Sequence, residues 1–275
     1  PILCGWVGET YNWHYGFGLA AIGMFIGQIT YFYGQKYLIG VGDFIGKKSH
    51  PDNDYTNKKL TPIERDRIKV LLISFLLIIV FWGAFEQAGG LMNIYAFEKT
   101  NRFIESISFE VPATWFQSLN AGFIVLFAVA VGKFWSWWSS LGKESSLLFQ
   151  MAVGVIIMAL GFAVMSEAAL EFERNGSSAM YYLVLAYLLH TLGELCTSPT
   201  AMALITKLAP VKYASIMMGT YFACTVFGNK LAASLGEWAQ TAGEFQIFTG
   251  IAVFCSAFGF LVVLSWEWIL SLLGI

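Results

Sequence analysis

Long apolar runs separated by short polar connections dominate the chain. Seven stretches, residues 15–38, 70–97, 114–138, 147–165, 180–204, 214–235 and 247–266, are predominantly apolar. Crossing a bilayer as a helix takes roughly 20 such residues. A strand of a membrane barrel spans roughly 9–11 residues of alternating character, and these runs are longer and do not alternate. Hydrocarbon offers no partner to an unpaired backbone group, so the pattern predicts helices. The expected fold class is all-α, a polytopic membrane helical bundle.

Composition sharpens this picture. Only 12% of residues are charged, against roughly 25% in a soluble domain, so a water-exposed surface is not the expectation. A formal net charge of −2 provides no basic field, which argues against nucleic acid as a partner and leaves the lipid bilayer. Many of the aromatic residues sit near the ends of the apolar runs, as in interfacial belts. The cysteines Cys4, Cys196, Cys224 and Cys255 lie in apolar stretches without the spacing of a metal or redox site, and read as packing residues. No GxSxG, HExxH, phosphate-binding loop or dinucleotide fingerprint occurs, so neither an enzyme nor a metal site is expected.

The basic residues give the orientation. Connections one, three and five carry or flank Lys36, Lys47, Lys48, Lys58, Lys59, Arg65, Arg67, Lys69, Lys133, Lys143, Lys207 and Lys212. The opposite side carries Lys99, Arg102 and Arg174, a bias of twelve against three that places the first set in the cytoplasm of a multi-pass plasma-membrane protein. The first connection is the longest, polar, and punctuated by Pro51 and Pro62; Thr61, Pro62 and Glu64 read as a helix start. Residues 1–7 read as the end of a span, and the first full span begins outside. Both features lead us to expect an N-terminal part preceding this sequence.

Two carboxylates stand in the middle of apolar runs, where an ionisable group is costly and a functional candidate by default. Glu86 lies in the second span, and helical spacing puts Trp82, Glu86, Gly90 and Asn93 on one face. Burial favours the protonated form of a carboxylate, so this one is expected to gain and lose a proton in the physiological range. Glu194 lies in the fifth span, sharing a face with His190, Thr197 and Ser198 and followed by Pro199, where a kink is expected. A polar, interrupted helix at mid-membrane depth lines a cavity, and a carboxylate there is a counter-charge for an ammonium. Gln117 and Asn120 are candidates for the same cavity or for interhelical packing. His190 reads as a structural histidine, Lys133 and Lys230 as snorkelling lysines, and Gly23 with Gly27 as a packing motif.

These residues carry a family resemblance. FWGAFEQAGG at 81–90 resembles FWxxFEQxG, WFQSLNAGF at 115–123 resembles QSLNP, and GELCTSPTAMALITKLAP at 193–210 resembles GELxxSPxxxxxxTKLAP. MMGTYFACTVFGN at 217–229 resembles MGxWFxxxAxGN, and WHYGFGLAAIGM at 13–24 is similar to the start of a sixth helix. All are motifs of the proton-dependent oligopeptide transporters of the major facilitator superfamily, and the resemblance runs through essentially the whole chain.

The resemblance implies a twelve-helix transporter of which residues 1–38 form the end of the fifth helix and the sixth. Residues 39–69 would then form the cytoplasmic linker between bundles, and residues 70–275 the C-terminal six-helix bundle. It implies symport of di- and tripeptides with protons, the proton being the coupling ion and no other cofactor being needed. Glu86 would be the proton site, Glu194 the partner of the peptide ammonium, and Asn120 a peptide contact. Tyr221 would stand where the family has a cavity Trp, with Thr225, Ser198 and Trp82 nearby. Ala121 replaces a Pro and Tyr221 a Trp, departures that bear on the bend of the third span and on side-chain preference. The family's ExxERFxYY motif and cavity Lys belong to the N-terminal bundle and do not occur here. Alternating access needs two bundles, so this chain by itself is expected not to transport. The alternatives are a transporter of the same fold for nitrate or another organic anion, and a non-transporting membrane module that binds peptides.

Overall fold

The structure, a computed structural model, describes residues 2–40 and 60–265. By contact the chain divides into two units, Pro1–Lys59 and Leu60–Ile275.

In the first unit, α1 (Ile2–Thr10) and α2 (Trp13–Gly34) form a helical hairpin. Asn12 caps α2 by accepting a hydrogen bond from the His14 amide at 2.8 Å. A Cβ on Gly16 would stand 2.6 Å from the Cys4 carbonyl oxygen, so the hairpin closes only with glycine there. The surface of α2 is apolar: Phe17, Met24 and Phe25 are at least two-thirds exposed.

The second unit is a bundle of α3 (Pro62–Phe85), α4 (Leu91–Glu98), α5 (Ala113–Ser140), α6 (Leu147–Asn175), α7 (Met180–Leu208), α8 (Ala214–Ala242) and α9 (Glu244–Leu264). Thr61 and Glu64 start α3 with the reciprocal side-chain–backbone bonds of a capping box, and Pro62 supplies the first helical residue. Helix α6 packs most extensively, against α7 and α9, while α3 lies on α8 and α5 on α7. The α6–α7 crossing is close because it is built on small residues: a Cβ on Gly193 would lie 2.6 Å from the Gly154 carbonyl oxygen.

Four two-residue strands lie in the loops at the end away from the basic connections. They are β1 (Thr100–Asn101), β2 (Phe103–Ile104), β3 (Phe109–Glu110) and β4 (Ser178–Ala179). β1 pairs with β4 in parallel and β2 with β3 antiparallel, so the α4–α5 loop is tied to the α6–α7 loop. Ion pairs close the same end, Lys99–Glu244 at 2.6 Å and Arg102–Glu110 at 2.7 Å.

Among the described residues five segments are long and apolar enough to cross a membrane: Trp13–Tyr37, Pro62–Glu98, Ala113–Ser140, Leu147–Asn175 and Glu244–Leu264. Helices α7 and α8 match them in length, at 29 residues each, but carry more polar side chains. Large apolar side chains line the outside, among them Val125, Leu126 and Val129 of α5, whereas Gln87, His190, Thr191 and Thr197 are buried. A surface of this kind is stable in lipid.

Two expectations change. The second apolar run is not one helix: it divides into α3, a 3-10 turn over Glu86–Ala88, and α4, because Gly89 and Gly90 interrupt it. Helix α6 continues about ten residues past its apolar run, through Glu167, Glu171 and Glu173, to the left-handed Gly176 (φ 76°). The helix start expected at Thr61–Pro62 is the one observed, and residues 41–59 of the long basic connection lie outside the described residues. Helix α7 runs unbroken through Pro199, which cannot donate to the Leu195 carbonyl.

Candidate functional site

The site is built on the interruption between α3 and α4. Glu86 ends α3 and opens the 3-10 turn; its amide bonds to the Ala84 and Trp82 carbonyls, and its side chain is half-buried. The expected single face of Trp82, Glu86, Gly90 and Asn93 does not form, since the helix ends at the second of them. The turn is held from two sides. On one, the buried Gln87 amide donates to the Ala232 carbonyl of α8 at 2.9 Å. On the other, the Tyr187 hydroxyl of α7 donates to the Ala88 carbonyl at 2.8 Å.

Helix α7 brings the second carboxylate. Residues 187, 191 and 194 share one face at helical spacing. The Thr191 hydroxyl donates to the Tyr187 carbonyl at 2.7 Å. From α5, the Asn120 amide donates to Glu194 Oε2 at 2.8 Å and to Thr191 Oγ1 at 3.1 Å. Asn120 and Glu194, separate candidates in the sequence, thus form one hydrogen-bonded pair.

Two cavities meet at Glu86. The smaller, about 130 Å³, is lined by Glu86, Gln117, Asn120, Tyr187 and His190, well above the roughly 15 Å³ that one water needs. The larger, about 730 Å³, runs between α4 and α8 and carries four carboxylates, Glu86, Glu98, Glu237 and Glu244, of which Glu244 is paired with Lys99. A wall of this sign concentrates cations. Among the described residues no group of three or more His, Cys, Asp or Glu is placed to hold a metal ion.

The other sequence candidates lie differently. The Trp82 ring packs edge-on to Phe81 and Phe85, and its Cβ is at the contact with α8, where a Cβ on Gly228 would lie 2.7 Å from it. Tyr221 is buried on α8 with its ring against Phe222. The Thr225 hydroxyl donates to the Phe222 carbonyl of its own helix at 2.7 Å. Ser198 is half-buried one turn beyond Glu194. His190 is buried with its ring centroid 4.5 Å from that of Phe162 and, among the described residues, no hydrogen-bond partner on either nitrogen. Lys133 and Lys230 are exposed.

Sequence reasoning missed Gln87, Tyr187 and Thr191. Their signal was present for the last two: Thr191 lies three residues and Tyr187 seven residues before Glu194, one and two helical turns away on the same face.

The chain is similar to known transporters. A peptide transporter of Yersinia enterocolitica, YePEPT, is 30% identical over 86% of this chain and 57% of its own length. A di-/tripeptide transporter of Lactococcus lactis subsp. cremoris is 24% identical over the whole chain and 66% of its own length. The chain therefore spans between about half and two-thirds of these relatives. A crystal structure of a POT peptide transporter in complex with sulfate superposes with a TM-score of 0.82 at 24% identity, covering 99% of this chain and 65% of that one. Another, of a POT family transporter with a thioalcohol-conjugated peptide, gives 0.70 at 22% identity. The shared fold is the helical bundle of the major facilitator type, and the chain is an integral membrane protein. A family model described as the POT family matches residues 1–48 and 52–246, and the chain belongs to that family.

Proposed function

We propose that this chain forms the proton- and ammonium-handling part of a symporter that carries di- and tripeptides inward with protons. The observation that carries the reading is the Asn120–Glu194 pair, at 2.8 Å, with Asn120 lining the cavity that Glu86 also lines. Two relatives that match the chain are peptide transporters.

Each side chain has a distinct task. Glu86 takes a proton from the outer side, where the larger cavity presents further carboxylates. Its change of charge alters the bonding of the turn between α3 and α4. Glu194, oriented by Asn120, pairs with the ammonium of a peptide in a poorly solvated crevice, where a charge pair is worth more than in water. Asn120 contacts the peptide backbone beside it. Loss of the Glu86 proton towards the cytoplasm favours the inward-open state and release. Tyr221, Thr225, Ser198 and Trp82 line neither cavity, and a substrate contact for them rests on the family resemblance alone.

Replacement of Glu194 by Gln tests the ammonium contact. In the natural-length protein carrying this sequence, binding of a free dipeptide is expected to weaken about tenfold or more, the scale of one hydrogen bond to a charged group. An N-acetylated dipeptide is expected to bind nearly as before. Equal loss for both peptides contradicts the assignment.

A further inference from the structure

The interruption at Glu86 frees a carbonyl, and what satisfies it is informative. Ala88 ends the 3-10 turn that Glu86 opens. A buried carbonyl without a partner is costly. For the half-buried Ala88 the hydrogen-bond partner is the hydroxyl of Tyr187, a residue 2% exposed that stands on the helix of Glu194. From the backbone of that tyrosine a second set of bonds runs along α7. The Tyr187 carbonyl accepts from the Thr191 hydroxyl, Thr191 Oγ1 accepts from the Asn120 amide, and the same amide donates to Glu194. Two hydrogen-bonded links, joined through the covalent frame of Tyr187, therefore connect the turn that contains Glu86 to the second carboxylate.

We propose that the Tyr187 hydroxyl is a positioning group that couples the Glu86 turn to the Asn120–Glu194 pair. This deepens the proposed function and rests on the reading of Glu86 as the proton site. The turn is the joint between two rigid helices, and a change in charge at Glu86 shifts it. Gln87 ties one side of the joint to α8, and Tyr187 ties the other to α7. With the Tyr187 bond in place, the position of the turn is felt at the ammonium site. Without it, the two carboxylates respond independently.

Other charged or titratable groups face the same region. Across the larger cavity Glu86 meets Glu98 of α4, Glu237 of α8, and Glu244 of α9, the last paired with Lys99. On the α7 side the smaller cavity brings it to His190 and Tyr187 itself, with Glu194 behind Asn120; α5 presents the uncharged Gln117 and Asn120. None of these provides a second hydrogen-bonded link from the Ala88 carbonyl to α7.

The test is Tyr187→Phe, which removes one oxygen and keeps the ring, with Glu86→Gln as a reference. Both are made in the natural-length protein and reconstituted in proteoliposomes. Dipeptide accumulation driven by a proton gradient is measured across pH, together with counterflow of labelled dipeptide without a gradient. Tyr187→Phe is expected to retain counterflow, to lower proton-driven accumulation about tenfold, and to flatten its dependence on external pH. A wild-type pH profile and wild-type accumulation in Tyr187→Phe overturn the coupling role while Glu86→Gln remains defective. Equal loss of counterflow and accumulation in Tyr187→Phe marks a merely structural hydroxyl and also overturns it. Normal accumulation in Glu86→Gln overturns the underlying proton assignment, and the coupling with it.

Discussion

Removing Asn120 tests whether the two motifs on α5 and α7 act as a unit. Its amide makes two bonds, at 2.8 Å to Glu194 and 3.1 Å to Thr191. In Asn120→Leu, a change of nearly equal size, both are lost. A neutral hydrogen bond contributes about 0.5–1.5 kcal/mol net, and one to a charged group about 1.5–3 kcal/mol, so the single substitution is expected to cost about 2–4.5 kcal/mol. The interaction itself is isolated by a cycle with Glu194→Leu. Interhelical hydrogen bonds in membrane proteins average about 0.6 kcal/mol of coupling, with a maximum near 1.7 kcal/mol. The bond here is short, partly buried and made to a carboxylate, so we expect a coupling of about 1–1.7 kcal/mol, towards the upper end. The assay is reversible unfolding in mixed micelles, read by tryptophan fluorescence for the natural-length protein, the two single variants and the double variant. Additivity within about 0.5 kcal/mol would mean that the pair contributes no specific energy, and would refute the reasoning.

Other consequences follow from packing and capping. Gly193→Ala places a methyl 2.6 Å from the Gly154 carbonyl oxygen and is expected to lower the stability of the α6–α7 pair by about 1–3 kcal/mol, seen as a reduced thermal midpoint in detergent; an unchanged midpoint contradicts the close crossing. Thr61→Ala removes the bond to the Glu64 amide and is expected to cost about 1 kcal/mol, whereas Thr61→Ser retains it. Equal stability of the alanine and serine variants, measured by the same melt, argues against the cap.

The bundle was legible from hydropathy because its signal is long and additive. Each of the seven expected runs contains a helix, and the outer faces of α2 and α5 are apolar as lipid-facing surfaces require. Glu86 and Glu194 were legible for the opposite reason, being ionisable groups in runs that otherwise exclude them. The interruption after Phe85 was not. A window average does not respond to one turn, and residues 81–97 are apolar enough to pass as one helix; the pair Gly89–Gly90 was the available warning. The end of α6 was misplaced because Glu167, Glu171 and Glu173 stop an apolar run without stopping a helix, which needs only Gly176 to end it. The two-residue strands have no local signature, since their pairing depends on loops about 78 residues apart. Tyr187 was hidden among the aromatics of the fifth run. Its hydroxyl acquires a role only from a carbonyl that the interruption at Glu86 frees, which no spacing in α7 records.

The account stands on Glu86 as the site where a proton is exchanged. The direct measurement is Glu86→Gln in the natural-length protein in proteoliposomes, followed as dipeptide accumulation under an inward proton gradient and as gradient-free counterflow. We predict that accumulation is abolished while counterflow persists. Accumulation at the wild-type level would contradict the central claim.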